Sequence, residues 1–243
     1  MPWKGALLAA TLYGDPALRP MSDLDLLVEP AQLDRVPALF ASLGFRPTYA
    51  QRRARFSPRH GHDLSFTEDE PHLVVEVHYR LFHDLGGDAS VEPLFARAQT
   101  VDVFGRARSV PSPADHLFAV AVHAATHAFG DHPVWIFDLL LLAAQDAHAV
   151  EDAAAEAGRR GLSVAFRTAL GVAARVLPAL PAPRESPLRR RLLDRLLGAD
   201  CLARPPRRLP ALLAKTLLTD RPRDAVYELA RKLELRLVEL TGR

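Results

Sequence analysis

Residues 19–28 read RPMSDLDLLV, with two aspartates at the start of an otherwise apolar run. Its apolar residues have the composition of a buried strand, in which side chains alternate between the two faces. Asp23 and Asp25 therefore point to the same face, with Cα atoms about 6.5–7 Å apart. Like charges at that spacing on a half-buried surface repel each other and lose solvation. We therefore expect a compensating charge, for which a divalent cation is the usual source.

A second stretch, LVVEVHYRL at residues 73–81, supplies a partner for the aspartate pair. As a strand it places Glu76, His78 and Arg80 on one face and apolar side chains on the other. A carboxylate flanked by valines is costly unless it is paired or bound to a ligand. If this strand lies beside the first, Glu76 completes a cluster of three carboxylates. Such hard oxygen ligands favour Mg²⁺ or Mn²⁺ over a structural zinc ion.

Residues upstream of the aspartates are suited to binding phosphate. Lys4 and Gly5 stand at the start of a predicted short helix, where backbone N–H groups and the helix dipole favour an anion. Arg19, four residues before Asp23, can bind phosphate oxygens bidentately. Together with the carboxylates, these residues are of the types that could form a nucleoside triphosphate site.

The order of these motifs resembles the uncharacterised nucleotidyltransferase family within the DNA polymerase beta-like nucleotidyltransferase superfamily. The similarity lies in KGALLAATLYGDPALRPMSDLDLLV followed by VVEVHYRL, and extends more weakly through HAATHAF and VWIFDLLLL. The superfamily pattern is a Gly-rich turn, an Asp-any-Asp strand, and a third acidic residue on a neighbouring strand. Gly5, Asp23, Asp25 and Glu76 occupy those places.

The resemblance implies transfer of a nucleoside monophosphate from an NTP, with ATP expected, to an acceptor hydroxyl or phosphate. RNA, a peptide or protein, and a small molecule all stay open as the acceptor. The catalytic residues and ligands of Mg²⁺ (or Mn²⁺) would be Asp23, Asp25 and Glu76. The residues expected to bind the nucleotide are Lys4, Gly5, Arg19 and Ser22, and those expected to contact the substrate are His78, Arg80, His123 and His127.

Two departures from the family pattern favour a rival interpretation. The turn reads KGA, so no serine hydroxyl is offered to a phosphate, and only residues 1–3 precede Lys4 where relatives have a strand. The rival is a non-catalytic module that keeps the nucleotidyltransferase fold and binds a nucleotide or a partner.

Each of these residues also has an ordinary structural explanation that requires no catalytic role. Asp23 and Asp25 could form a solvated strand end, and Glu76 could pair with an arginine. His123 and His127 lie four residues apart, a spacing that can bind zinc and that would suit a metal-dependent hydrolase. No glutamate follows the first histidine as in a zinc-protease motif, so we expect polar packing beside the catalytic cleft instead.

The distribution of predicted elements indicates an α+β fold. We expect a nucleotidyltransferase α/β core over residues 1–111, with a mixed sheet and flanking helices, and an all-helical domain over residues 112–243. A hairpin is expected to turn at Gly105. The expected helices are residues 30–44, 112–129, 134–148, 151–160, 163–177, 187–198, 209–218 and 222–240, with a linker at 178–187.

The charge is unevenly placed, although the chain of 243 residues has a net charge of only +2. Residues 184–223 hold eleven Lys or Arg against four Asp or Glu, a net charge of +7, and the remainder is at −5. Without interleaved aromatic residues the basic stretch does not indicate base stacking. An amphipathic helix with a solvated basic face is the favoured interpretation; an acceptor RNA, an acidic protein and a membrane surface are the alternatives.

The remaining composition bears on location. One cysteine, Cys201, excludes an internal disulfide and suits a reducing cytoplasm. The most apolar stretch, residues 134–144, is well below the roughly 20 residues that cross a bilayer. The opening residues do not form a convincing signal peptide. We expect a cytoplasmic protein without a membrane partner, and the sequence does not indicate its oligomeric state.

Overall fold

The structure is a computed structural model. It describes residues 1–48, 61–68, 73–130, 132–176, 186–198, 201–202, 206, 208–227 and 230. The chain divides into a first unit, residues 1–83 with 89–116, and a second unit, residues 84–88 with 117–243. Within the described ranges, no helix combines the length and the hydropathy needed to cross a membrane.

A four-stranded mixed sheet forms the centre of the first unit. Its strands in chain order are β1 (Asp23–Leu27), β2 (Arg46–Pro47), β3 (Asp63–Thr67) and β4 (Val74–His78). Their spatial order is β1-β4-β3-β2, with β1 and β4 parallel and the other pairs antiparallel. The expected fold class, a mixed sheet with flanking helices followed by a helical region, is confirmed.

One face of this sheet is apolar. Alternate side chains of β3 and β4, with Leu24 and Leu26 of β1, pack under helix α2 (Val36–Ser42). Phe40 of α2 stacks on Phe66 of β3 with ring centroids 4.4 Å apart. Burying each such side chain contributes about 1.5–3 kcal/mol. This core fixes the strand register, and the residues between the apolar ones must face the other side of the sheet.

The first residues of the chain extend along β1. The Met1 ammonium donates to the Leu27 carbonyl at 2.9 Å, and the Leu27 N–H donates to the Met1 carbonyl at 2.7 Å. The Trp3 N–H donates to the Asp25 carbonyl at 3.3 Å. Residues 1–3 thus run beside β1, on the edge away from β4, and deliver the chain to helix α1 (Lys4–Thr11) at the polar face.

The helix expected from Pro30 to Gly44 is two elements. A 3-10 helix, Pro30–Arg35, precedes α2, and another 3-10 helix covers Pro16–Leu18. Pro37 lies in the first turn of α2 and has no N–H to donate to the preceding turn, so a continuous α-helix cannot pass through it.

The first unit ends with a short helix and a hairpin. Helix α3 (Glu92–Ala96) precedes strands β5 (Gln99–Val103) and β6 (Arg106–Val110). The hairpin turns at Phe104 and Gly105 as expected, both with positive φ. Asp102 Oδ1 accepts from the Gly105 N–H at 2.9 Å, which closes the turn.

Helix α4 (Pro113–Thr126) begins as its capping residues predict: the Asp115 N–H donates to Ser112 Oγ at 3.2 Å. Asp115 also accepts two hydrogen bonds from the Arg97 guanidinium, at 3.0 and 2.5 Å. The expected start of a helix at Ser112 is therefore supported by a cap and by a partly buried ion pair.

The described part of the second unit is helical. The helix expected at 134–148 ends at Gln145, because Asp146 accepts a hydrogen bond from the His148 N–H. Asp146 caps the next helix, which begins at Ala147, four residues earlier than expected. The linker at 178–187 and the end of the helix at 222–240 lie largely outside the described residues. The helices after α4 are α5 (Val134–Gln145), α6 (Ala147–Arg160), α7 (Ser163–Val176), α8 (Pro187–Leu197) and α9 (Arg208–Leu217).

Candidate functional site

The polar face of the sheet gathers acidic side chains from neighbouring strands. Asp25 of β1 is the Cα partner of Glu76 of β4, and Leu27 is the partner of His78. Because side chains two residues apart share a face, Asp25, Glu76 and His78 lie on the same side of the sheet. One potential ligand atom from each of these three residues lies within 4.8 Å of the other two.

Asp25 is the centre of this group. Its Oδ1 lies 2.7 Å from Lys4 Nζ, and the side chains of both residues are 6% exposed. The same oxygen lies 2.8 Å from His78 Nε2. His78 Nε2 is also 3.5 Å from Glu76 Oε2. The compensation that a buried aspartate requires is therefore provided by an ammonium and an imidazole of the chain itself.

The electrostatics follow from these contacts. Burial alone would raise the pKa of Asp25, but the Lys4 charge and the His78 hydrogen bond lower it to about 2. The hydrogen bond from His78 lowers the pKa of Glu76. Burial and the Lys4 charge act to lower the pKa of His78, but its bonds to Asp25 and Glu76 prevail and raise it. His78 thus keeps its proton to higher pH than a free histidine.

Two further carboxylates belong to the same polar face. The pKa of Asp23 is raised by burial and by the charges of Asp25 and Glu76. Asp63 of β3 is the Cα partner of His78, and burial raises its pKa. Sequence reasoning missed Asp63, although the alternation in HDLSFT, with Leu64 and Phe66 facing the core, puts it on the polar face.

Lys4 is held in place through its backbone. Its φ of 48° is unusual for a residue other than glycine. Its N–H donates to Nε2 of His116 at 3.2 Å, a buried contact that requires this nitrogen to be unprotonated. Burial, with the nearby Arg19 charge, lowers the pKa of His116 to about 4. Lys4 Nζ also lies 4.4 Å from the centroid of the Trp3 ring, which makes a T-shaped contact with the ring of His78.

Gly5 and Arg19 pack against each other. A Cβ on Gly5 would lie 2.9 Å from Nη1 of Arg19, so the guanidinium would have to shift if another residue replaced this glycine. Arg19 is 5% exposed, and its Nη1 donates to the Pro20 carbonyl at 3.0 Å. Ser22 is exposed directly before β1. The three nucleotide-binding candidates beside Lys4 therefore lie near the amino-terminal ends of α1 and β1.

Histidines extend from the polar face. His62 stacks on His83 with ring centroids 4.5 Å apart, and its ring lies 5.3 Å from that of His78. The expectation that Arg80 shares a strand face with Glu76 fails because β4 ends at His78. The N–H groups of Tyr79 and Arg80 both donate to the His62 carbonyl, which interrupts the ladder.

The expected substrate contacts His123 and His127 lie in the second unit. Their rings are 4.8 Å apart, and each is 4.6 Å from the ring of Trp135. His132 meets the same tryptophan at 5.0 Å. This histidine–tryptophan cluster agrees with the expectation of polar packing, while contact with a substrate stays a prediction.

The ligand atoms of Asp25, Glu76 and His78 fit a divalent cation. Two carboxylates and one imidazole within 4.8 Å can converge on one ion with small side-chain movements. Carboxylate oxygens suit Mg²⁺ or Mn²⁺, and an imidazole is more favourable for Mn²⁺ than for Mg²⁺. Asp23, two residues along β1, could supply a further oxygen.

Comparison with known proteins adds the family. A family described as uncharacterised nucleotidyltransferase matches residues 1–178. No curated protein sequence matches the chain significantly. Among solved structures, an antigenic nucleotidyltransferase-like protein from Paracoccidioides brasiliensis is 18% identical, with 68% of this chain and 83% of that chain covered and a TM-score of 0.35. That TM-score is too low to carry an argument. The extent of the family match shows that the chain belongs to the uncharacterised nucleotidyltransferase family.

Proposed function

We propose that the protein transfers a nucleoside monophosphate from an NTP, with ATP as the first candidate, to an acceptor hydroxyl or phosphate. The observation that supports this most directly is the register of β1 on β4, which makes Asp25 and Glu76 partners on the polar face. Paired carboxylates on adjacent strands can hold the divalent cation on which phosphoryl chemistry of this kind depends.

The proposed roles follow from position. Asp25, Glu76 and Asp23 would hold Mg²⁺ or Mn²⁺. A divalent ion held there would supply charge neutralisation for the leaving pyrophosphate and activation of the attacking hydroxyl. The side chain of Glu76 is more exposed than that of Asp25, and we propose that Glu76 accepts the proton that the attacking group of the acceptor loses. Catalysis would consist of positioning and charge neutralisation.

The triphosphate would bind beside these carboxylates. Lys4, Gly5, Arg19 and Ser22 lie near the ends of α1 and β1 that meet at the polar face. Backbone N–H groups at the start of α1 and the Arg19 guanidinium offer donors to phosphate oxygens. The α-phosphorus would gain a bond to the acceptor oxygen and lose its bond to pyrophosphate, which leaves with the electron pair.

The acceptor and the location are part of the proposal. RNA, a peptide and a small molecule all carry a suitable hydroxyl or phosphate, and His78, Arg80, His123 and His127 are the residues proposed to contact it. We propose a cytoplasmic location, since a chain with a single cysteine, Cys201, forms no internal disulfide and suits a reducing compartment.

Incubation with each α-labelled NTP, in Mg²⁺ or Mn²⁺, tests the activity against pooled RNA, peptides and small molecules. We expect label on an acceptor together with released pyrophosphate, and loss of both in Asp25→Asn. Asp34→Asn, which neutralises an exposed carboxylate of the same unit, should retain activity. Turnover that survives in Asp25→Asn would contradict the proposed site.

A second candidate is a non-catalytic module that retains the fold and binds a nucleotide or a partner. It is favoured by the contacts of Lys4 and His78 with Asp25, which satisfy the carboxylate without a cation. Saturable NTP binding without pyrophosphate release under any condition would favour this module over the enzyme.

A further inference from the structure

One oxygen of the candidate cation site already has two partners. Asp25 Oδ1 lies 2.7 Å from Lys4 Nζ and 2.8 Å from His78 Nε2. Both Lys4 and Asp25 are nearly closed to solvent, at 6% exposure of each side chain. A divalent ion bound to this carboxylate would therefore come close to a buried ammonium, and the two cations would repel each other.

The backbone of Lys4 is held in place, so the residue can respond to a bound cation only by moving its side chain. The φ of 48° and the hydrogen bond from its N–H to His116 fix the Cα at the start of α1. Its four-carbon side chain retains rotatable bonds, so the ammonium can move while the backbone stays. The adjacent Gly5 and the rest of the first turn of α1 are buried, and they form the segment to which the triphosphate is assigned.

We propose that Lys4 is an internal counter-ion, whose ammonium competes with the divalent cation for the Asp25 carboxylate. When the cation binds, the Lys4 side chain moves and its ammonium contacts the triphosphate instead. This inference rests on the proposed function. It makes binding of cation and nucleotide mutually dependent: the cation alone must displace Lys4 without offering it another anion, whereas the nucleotide supplies that anion. The cation therefore binds more tightly when nucleotide is present than when it is absent.

The lysine content of the chain provides a direct test in the unaltered protein. Lysine occurs at positions 4, 215 and 232 only, so acetylation of each can be followed by peptide mass spectrometry. Lys215 is an internal reference, because its ammonium is 2.7 Å from Asp84 in the second unit. We expect the acetylation rate of Lys4 relative to Lys215 to rise at least threefold with Mn²⁺ and to fall again with a non-hydrolysable ATP analogue. An unchanged or lower rate with Mn²⁺ would overturn the inference.

Variants give a second, independent readout. Lys4→Met, which keeps the chain length and removes the charge, should bind Mn²⁺ alone about tenfold more tightly than the unaltered protein and the Mn²⁺–ATP-analogue pair about tenfold more weakly. Arg35→Met removes an exposed cation from the same unit and should change neither affinity. Weaker Mn²⁺ binding in a folded Lys4→Met would contradict the competition. If this variant does not fold, the acetylation rates in the unaltered protein still decide.

Failure of this inference and failure of the proposed function have different signatures. Mn²⁺ that binds and depends on Asp25, with no response of Lys4 acetylation, contradicts only the role of Lys4. An absence of Mn²⁺ binding by calorimetry, both with and without the ATP analogue, contradicts the proposed function and this inference together.

Discussion

Asp25 and Glu76 are Cα partners on two parallel strands, and their side chains share the polar face of the sheet. Two carboxylates in this relation repel each other unless a positive charge lies between or beside them. Lys4 and His78 provide it in the structure, at 2.7 and 2.8 Å from Asp25. Asp25 thus has compensating partners before any ligand binds, which bears on the stability of the site as well as its function.

The buried Lys4–Asp25 pair should show strong coupling in a double-mutant cycle. Lys4→Met and Asp25→Asn should each lower the free energy of unfolding by about 3 kcal/mol, because each removes the closest partner of a buried charge. The double variant should lose less than the sum, since no buried charge remains unpaired. Urea denaturation at pH 7 measures all four proteins.

The matched control is the exposed residue Asp34, whose change to Asn should alter stability by less than about 0.5 kcal/mol. Losses that simply add in the double variant would show that Lys4 and Asp25 do not stabilise each other.

His116 should make stability depend on pH. Its pKa in the folded protein is about 4, below the ordinary 6.5, because it is buried near Arg19. The unfolded chain therefore binds a proton between pH 6.5 and 4 that the folded protein does not. The contribution of neutral, buried His116 to the free energy of unfolding is fully present above pH 6.5 and falls by up to about 3 kcal/mol as the pH drops to 4. Urea midpoints at pH 7.5, 6 and 5 should fall in that order.

Comparison of variants isolates this effect from the other titrating groups. His116→Gln should show a shallower fall between pH 7.5 and 5, although its stability at pH 7.5 is lower because the Lys4 N–H contact is altered. His148→Gln changes a histidine whose side chain is 91% exposed and should reproduce the unaltered profile. Equal slopes in all three proteins would refute the assignment to His116.

The alternation rule predicted part of the site and missed the rest. Asp25 and Glu76 were placed on one polar face because a strand has a period of two residues and both strands are otherwise apolar. The contact of His116 with Lys4 joins residues 112 positions apart. No local pattern carries such a pairing, since it depends on how the start of α4 meets the start of α1.

The boundaries of helices and strands likewise depend partly on the local sequence pattern and partly on single contacts that the pattern does not reveal. Hydrophobic periodicity located the helices, but the break between α5 and α6 is set by the side chain of Asp146, which accepts from the His148 N–H. The end of β4 is set by the His62 carbonyl, which takes the N–H groups of both Tyr79 and Arg80. Single hydrogen bonds of this kind shift a boundary by several residues without changing the hydrophobic pattern.

Gly5 and Gly171 should respond in opposite directions to replacement by alanine. Gly5→Ala places a Cβ 2.9 Å from Nη1 of Arg19, which must move. We expect a loss of about 1 kcal/mol in the free energy of unfolding and weaker binding of an ATP analogue. A Cβ on Gly171, within α7, meets nothing within 4 Å, and Gly171→Ala should gain about 0.5–1 kcal/mol from helix propensity.

Thermal or urea denaturation and nucleotide titration measure both effects. Unchanged nucleotide binding in a folded Gly5→Ala protein would argue that the Gly5–Arg19 contact is purely structural.

Neutralising Glu76 separates cation binding from stability. Glu76→Gln retains the shape of a half-buried side chain, so we expect less than about 1 kcal/mol of destabilisation, unlike Asp25→Asn. Its affinity for Mn²⁺ in the presence of an ATP analogue should nevertheless fall at least about tenfold. Mn²⁺ binding followed by electron paramagnetic resonance would show this, and an affinity equal to that of Asp34→Asn would exclude Glu76 as a ligand.

A crystal structure with Mn²⁺ and a non-hydrolysable ATP analogue would show whether Asp25 and Glu76 bind one divalent cation together. We predict an anomalous manganese peak within about 2–2.5 Å of carboxylate oxygens of both Asp25 and Glu76, with the triphosphate beside it. A nucleotide bound elsewhere, or a bound nucleotide with no manganese between these two carboxylates, would contradict the account.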